Sequence, residues 1–475
     1  MKLKTKSHLL IIILTLAMVM GFFALTIGTT RADDSQIKIV EPSGGDDTDA
    51  IQNAFNTVDL GGTVQLIEGN YYMDNIILEG FSGSFKGAGI GLTMIHVYDE
   101  ITPDPINGIT ALFKFDGGDI CVSDLSIDIL PSTPYLDNIM WFKGGINSEI
   151  TRVKFTGHEG DIIDPTTGLS WNVHVAISIT SIIEIPNGYT TGKHSITNCE
   201  FESVETGIET CGLVDSEFEV GGGYSTGNTF KGGSFGIYML NTVNSKLEIS
   251  HNYIESYVRS CIYVNQLFIP DLWPISWSIM SSQWSISQNS LYTFLVADGI
   301  VLYDHYLYEI DSWEPSIEAV ISRNHITLNN EEWGGMVILG VNDAYIMNNI
   351  ITGCGDYGID IWDSNNLNIL FNRIQIDTRG TIGNDWELFY GMSLWFGYNT
   401  FVAYNKITHK EADGLYVISS NENLFMGNSI KDNGGYGLYF DDSNDNCIIF
   451  NTFYNNVLGN KFDEGVNCYR WNREY

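Results

Sequence analysis

Short apolar runs recur along the chain, and most are followed by an Asn. The series is Asn198 (ITNCEF), Asn228, Asn252, Asn289, Asn324, Asn349, Asn372, Asn405, Asn428 and Asn451, with successive spacings of 30, 24, 37, 35, 25, 23, 33, 23 and 23. The base period is therefore 23 residues, lengthened by insertions. A second marker follows most of these Asn positions: Gly207, Gly236, Cys261, Gly299, Gly335, Gly358, Gly414 and Gly437. Gly391 follows Asn372 by 19, which places an insertion at about residues 376–389. Upstream, Arg152 in ITRVKF and Asp124 in VSDLSI align with Asn198. A fixed period of this size signals a solenoid.

The segments after the marker, GIYML (236–240), GIVLY (299–303) and GIDIW (358–362), alternate as strands do, and no amphipathic helix separates the repeats. This excludes leucine-rich repeats, which LNILFNRI (367–374) resembles superficially. The pattern predicts three short strands per coil, with coils stacked at the strand spacing of about 4.8 Å. Asn405, Asn428 and Asn451 should share one corner, with Asn supplying a left-handed backbone and a side-chain ladder.

The N-terminus breaks this pattern. Lys2, Lys4 and Lys6 precede a 19-residue apolar stretch, Leu9 to Ile27, and Thr30-Arg31-Ala32 has the form of a small-residue cleavage site. Residues 1–32 read as an export signal, or as an uncleaved anchor, since the stretch is near bilayer-spanning length. No second such stretch occurs, so the membrane enters only through this segment.

The whole chain has 23 basic and 58 acidic residues, and the part after residue 32 has 19 basic and 58 acidic, a formal charge of −39. Nucleic acid is excluded as a partner, because phosphate contacts need clustered Lys and Arg. An anionic ligand would need a local basic patch or bridging cations. The seven cysteines are widely spaced without a CxxC and read mostly as small apolar fillers.

The repeats resemble the right-handed parallel β-helix superfamily, in particular its pectate-lyase-like and NosD-like members. The opening GGDDTDAIQNAF (44–55), GGTVQLIEGNYY (61–72), FKGAG and TMIHV resembles the start of pectate-lyase-superfamily domains. The resemblance spans roughly residues 40–465 and implies an all-β solenoid. The expected layout is a signal or anchor at 1–32, an N-terminal cap segment at 33–60, the β-helix at 61–460 and a tail at 461–475. A short helix capped by Asp47 or Thr48, with Ile51, Ala54, Phe55 and Val58 on one face, should cover the N-terminal end.

The superfamily's catalytic patterns do not transfer. Arg152-Val153-Lys154 lies too early for a polygalacturonase-like Arg-x-Lys, no Gly-His-Gly occurs, and the Arg-x-Pro-x-x-Arg of pectate lyases is absent. Tyr357-Gly358-Ile359-Asp360 begins like the Tyr-Gly-x-Asp-Pro-His of mannuronan-epimerase-like proteins, but Ile361-Trp362 replaces Pro-His.

Candidate chemistry therefore rests on where the period is interrupted. Residues 266–283 and 304–317 are insertions at the same turn of adjacent coils and should project side by side. They and their margins carry Trp273, Trp277, Tyr303 and Trp313 as candidate sugar-binding aromatics, and Asp304, His305, Glu309 and Asp311 as candidate acid–base groups. Trp362 and Trp395 should be outward neighbours, forming either a sugar platform or a stabilising aromatic pair. The turn Asp441 to Asn446 is rich in oxygen ligands, so calcium is the one cofactor the sequence admits. His158, Glu159, Asp161, Asp164 and His174 form a polar group without metal spacing. The resulting expectation is an exported polysaccharide-interacting protein, as a glycan lyase or glycoside hydrolase, or alternatively a non-catalytic surface or assembly protein of NosD-like type.

Overall fold

The computed structural model describes residues 37–98, 101–104, 108–133, 135–158, 162–163, 169–180, 190–256, 258–266, 282–295, 297–304, 317–330, 333–378 and 389–474. The repeat closes as three strands per coil. Sheet A collects the strands at the marker glycine, such as Tyr357–Trp362; sheet B those such as Asn368–Leu370; sheet C those after the recurring Asn, such as Arg373–Thr378. Each strand pairs in parallel with its counterpart one coil on: Leu415 faces Leu438, Ile369 faces Val402 and Ile374 faces Ile407. The chain is thus an all-β solenoid, a parallel β-helix.

The interior is built from columns of one residue type. Ile326, Ile351, Ile374, Ile407 and Ile430 stack along sheet C and are fully buried or nearly so. Each lies two residues after a ladder Asn. These isoleucines explain most of the marker glycines. A Cβ on Gly358, Gly391 or Gly414 would sit 2.3, 2.4 or 2.5 Å from the Cγ2 of Ile374, Ile407 or Ile430. Only the missing side chain lets sheet A approach sheet C so closely.

Asn405, Asn428 and Asn451 share one corner. The Asn428 Oδ1 accepts the Asn405 backbone N–H at 2.9 Å and its Nδ2 at 3.0 Å, and Asn451 does the same for Asn428 at 2.8 and 3.0 Å. The ladder runs from Asn228 to Asn472. Two details differ from the sequence reading. Cys199, not Asn198, occupies the ladder slot, since its N–H donates to the Asn228 Oδ1 at 2.8 Å. The left-handed residue is the one before the ladder position: Asp124, Arg152, Asn198, Phe371, Tyr404 and Phe450 have φ of 62, 53, 54, 57, 57 and 57°. Asn is required there for its amide, which can donate and accept at once, and not for its backbone freedom.

Residues Thr48–Thr57 form a helix, α1, that buries Ile51, Ala54 and Phe55, with Phe55 5.1 Å from Phe81 and 5.2 Å from Phe85. Neither expected capping side chain bonds the helix. Asp46 Oδ1 accepts the Thr48 N–H at 2.9 Å, while buried Asp47 accepts from the backbone N–H groups of Ser43 and Tyr72. Strand Ile37–Val40 precedes the helix and pairs with Thr63–Leu66 in sheet B. At the other end, Gly459–Asp463, Cys468–Arg470 and Arg473–Glu474 complete a further coil. Among the described residues no helix is long and apolar enough to cross a membrane. The N-terminal stretch 1–36 lies outside them.

Candidate functional site

Sheet A is the face with long connections at both edges. Residues 267–281 and 305–316 join it to sheet B in adjacent coils, and 379–389 join sheet C to it. The roots of the first two are neighbours: Gln266 faces Asp304, and Ser282 faces Ile317. Corners between sheets B and C are two residues long in the regular coils, as between Leu370 and Arg373.

Three outward columns cross sheet A in this region. The first holds Ser260, Asp298, Gly334, Tyr357, Tyr390 and Asp413. The second holds Tyr263, Val301, Val337, Asp360, Ser393, Tyr416 and Tyr439. The third holds Tyr303, Leu339, Trp362, Trp395 and Ile418.

Asp298 is outward-facing yet 2% exposed, because Tyr357, two coils away, covers it. The Tyr357 hydroxyl donates to Asp298 Oδ1 at 2.8 Å, and the Gly334 N–H donates to the same oxygen at 2.9 Å. Gly334 lies between them in the stack and makes this reach feasible: a Cβ there would be 2.1 Å from the Tyr357 Cδ2. Burial pushes the Asp298 carboxyl up to about 7, against its two hydrogen bonds and with help from the charges of Asp360 and Asp356. Burial, with the Asp298 charge, moves the Tyr357 phenol well above its usual range.

Asp360 is held by hydrogen bonds from Ser393 Oγ and, at 2.7 Å, from Trp362 Nε1. Burial raises its carboxyl, and these bonds partly offset the rise. Tyr390 stacks on Tyr416 at 4.9 Å, and Tyr416 on Tyr439 at 4.9 Å. The arrangement places a carboxyl that titrates near neutrality, a phenol bonded to it and a second raised carboxyl on one face, which is the equipment of acid–base chemistry.

Introducing a methyl at Gly334 should expel the Tyr357 ring. The Gly334→Ala variant is expected to lose about 1–3 kcal/mol of stability. Its Asp298 carboxyl should titrate closer to the ordinary range, as read by carboxyl-carbon NMR.

Of the residues singled out from sequence, Tyr303, Trp362 and Trp395 fall in one column. Trp362 and Trp395 stack on each other at 4.3 Å with planes 4° apart, so the two faces between them are occupied. Asp304 ends its strand at the root of the second insertion and is 3% exposed. Trp273, Trp277, His305, Glu309, Asp311 and Trp313 lie outside the described residues, as do Glu159, Asp161 and Asp164. His158 Nε2 meets Asp128 Oδ1 at 3.1 Å and His174 Nδ1 meets Glu205 Oε2 at 2.6 Å, in separate pairs. In the oxygen-rich turn, buried Ser443 and Asn446 spend their side chains on backbone and ladder bonds.

Asp298 escaped the sequence reading, and Tyr357 entered it only as the start of an incomplete motif. The signal available was the residue just before the marker: Asp298, Tyr357, Tyr390, Asp413 and Tyr436 all precede it and share its column.

These features define a parallel β-helix protein with an acid–tyrosine cluster on its long-connection face. The profile of the family described as "Periplasmic copper-binding protein (NosD)" matches residues 379–475. The solved structure of the mannuronan C-5 epimerase AlgE6 A-module from Azotobacter vinelandii is similar, with 14% identity, TM-score 0.42, and 91% of this chain and 96% of that one covered. The periplasmic alginate epimerase AlgG gives 12%, 0.39, 94% and 84%. DFA-IIIase from Arthrobacter chlorophenolicus A6 gives 13%, 0.47, 80% and 88%. These likenesses concern the fold. A search of curated proteins finds no match.

The described residues do not fit a copper site. Among the described residues no three His, Cys, Asp or Glu side chains converge to hold a metal. His409, within the matched span, has Nε2 at 3.2 Å from the Asp356 carbonyl and Nδ1 facing the Glu411 N–H at 3.4 Å.

Proposed function

We propose that this is an exported polysaccharide-interacting protein that holds a glycan along the outer face of sheet A and acts on it by acid–base chemistry, as a lyase or hydrolase. The observation that carries this reading is the Asp298–Tyr357 pair, formed across Gly334 beside Asp360. In this reading Asp298 exchanges a proton at neutral pH and Tyr357 relays or donates one. Asp360 is the second carboxyl. The inserted connections belong to the same proposal: Trp273, Trp277 and Trp313 contact sugar rings, and Asp304, His305, Glu309 and Asp311 border them. Tyr303, Trp362 and Trp395 offer ring edges and one outer face to the ligand.

The second reading, a non-catalytic NosD-like assembly protein, draws on the family match at 379–475 and on the closed Trp362–Trp395 stack.

The experiment incubates the full chain with neutral and uronate polysaccharides, with calcium or with chelator, and analyses products. An unsaturated product marks a lyase and new reducing ends mark a hydrolase. Asp298→Asn and Tyr357→Phe are expected to lower turnover at least about a hundredfold while glycan binding persists. Because the chain is strongly acidic, a polyuronate would have to be held through local cations or bridging calcium, so its binding should weaken on chelation or in high salt. A panel with neither binding nor turnover, with Trp362→Ala lowering only the melting temperature, would leave the NosD-like reading standing.

A further inference from the structure

Cys447 and Cys468 stand directly opposite each other in sheet B, in strands Cys447–Ile449 and Cys468–Arg470 of adjacent coils. Both are partly exposed. In-register parallel neighbours are separated by about one strand spacing, 4.8 Å. That falls inside the Cα range of about 4.4–6.8 Å that a disulfide spans. None of the other five cysteines has this arrangement. Cys121 faces Ser84 and Glu149, Cys211 faces Thr180 and Leu240, and Cys354 faces Asn329 and Thr378. Cys199 and Cys261 are buried, where burial raises their thiols and denies access to an oxidant.

We infer that Cys447 and Cys468 are a modification site: in an oxidising compartment they form a disulfide that staples the coil of residues 459–474 to the coil before it. The oxidant is a disulfide-exchange reagent, either a small-molecule disulfide or a thiol–disulfide oxidoreductase. One cysteine thiolate attacks the reagent disulfide, forms a mixed disulfide and releases one reagent thiolate. The second cysteine thiolate attacks the mixed disulfide at the protein sulfur and releases the other. Two protein thiols lose two protons and two electrons, and the reagent gains both as two thiols.

The position matters mechanically. Strands Gly459–Asp463, Cys468–Arg470 and Arg473–Glu474 pair with the preceding coil only, among the described residues. A coil held from one side opens more readily than an interior one. A covalent bond in the middle strand limits how far it separates. Partial burial and the neighbouring sulfur raise the Cys447 thiol, with Arg470 acting the other way, so exchange should quicken as pH rises.

The test uses the full chain and oxidised glutathione at mildly alkaline pH. After oxidation, unfolding and alkylation, two fewer thiols should react, and trypsin should release residues 432–461 joined to 462–470. Limited proteolysis within the 459–474 coil should slow by about tenfold on oxidation and recover on reduction. Cys447→Ser and Cys468→Ser should each abolish the joined peptide and the protease protection, leaving the reduced protein's cleavage rate unchanged. Full alkylation of all seven cysteines after oxidation would overturn the inference. So would stable glutathione adducts on both residues, or a bridge to another cysteine.

Discussion

Replacing Asn428 by Ala is expected to lower unfolding free energy by about 3–6 kcal/mol, because each buried polar group left unpaired costs about 1–3 kcal/mol. Asn428 is 1% exposed and is bonded on both sides. Its Oδ1 accepts the Asn405 N–H and Nδ2, and its Nδ2 donates to the Val402 carbonyl at 2.8 Å and to Asn451 Oδ1 at 3.0 Å. Removing the amide orphans the Asn405 donors and the Val402 carbonyl inside a corner that water does not reach. Asn428→Asp should be harmful in a different way. It keeps an acceptor for Asn405 but turns a carboxylate toward the Val402 and Asn451 oxygens. Its stability should therefore recover partly in acid, where the carboxyl is neutral, while Asn428→Ala shows no such recovery. Urea unfolding of both variants at pH 5 and pH 8 separates the two effects. A loss below about 1 kcal/mol for Asn428→Ala would show that the ladder is not a net source of stability.

Asp298→Asn should make the protein more stable above neutral pH and flatten its response to pH. Burial raises the folded carboxyl from an ordinary value of 3.8 to about 7. The folded state therefore holds its proton more tightly than the unfolded chain does. That contribution is fully present below about pH 4, falls as pH rises toward 7, and is constant beyond. A shift of this size corresponds to on the order of 4 kcal/mol. Asn keeps the oxygen that accepts from Tyr357 and Gly334 without the charge. Melting curves from pH 4 to pH 9 should diverge, with the variant melting higher at the alkaline end. Self-repulsion of the acidic chain also grows with pH, but it affects both proteins alike. Parallel curves would mean that the Asp298 carboxyl is not raised. If the variant is more stable and also inactive on the glycan it binds, the site trades stability for a titratable carboxyl.

The repeat carried its own fold. Asn at a period of 23 with Gly eight to eleven residues later is sufficient, because both residues answer to their nearest neighbours in the stack. Asn must pair with the Asn one coil away, and Gly must clear one side chain below it, in most coils an Ile. Such a local rule is legible from spacing alone. The insertions were also legible, as departures from the period, and their roots on adjacent coils follow from register.

The one-residue slip at Asn198 arose because two neighbouring corner positions both favour Asn, one for its backbone and one for its amide. Only the hydrogen bond from the Cys199 N–H to Asn228 distinguishes them. The acid–tyrosine cluster was decided by tertiary structure. Asp298 and Tyr357 are 59 residues apart, and Gly334, in the coil between them, leaves the room for one to reach the other. No single repeat contains that contact. Burial then raises the Asp298 carboxyl, and burial is a property of the stacked coils, since a lone Asp before a Gly in an extended strand would be solvated and ordinary.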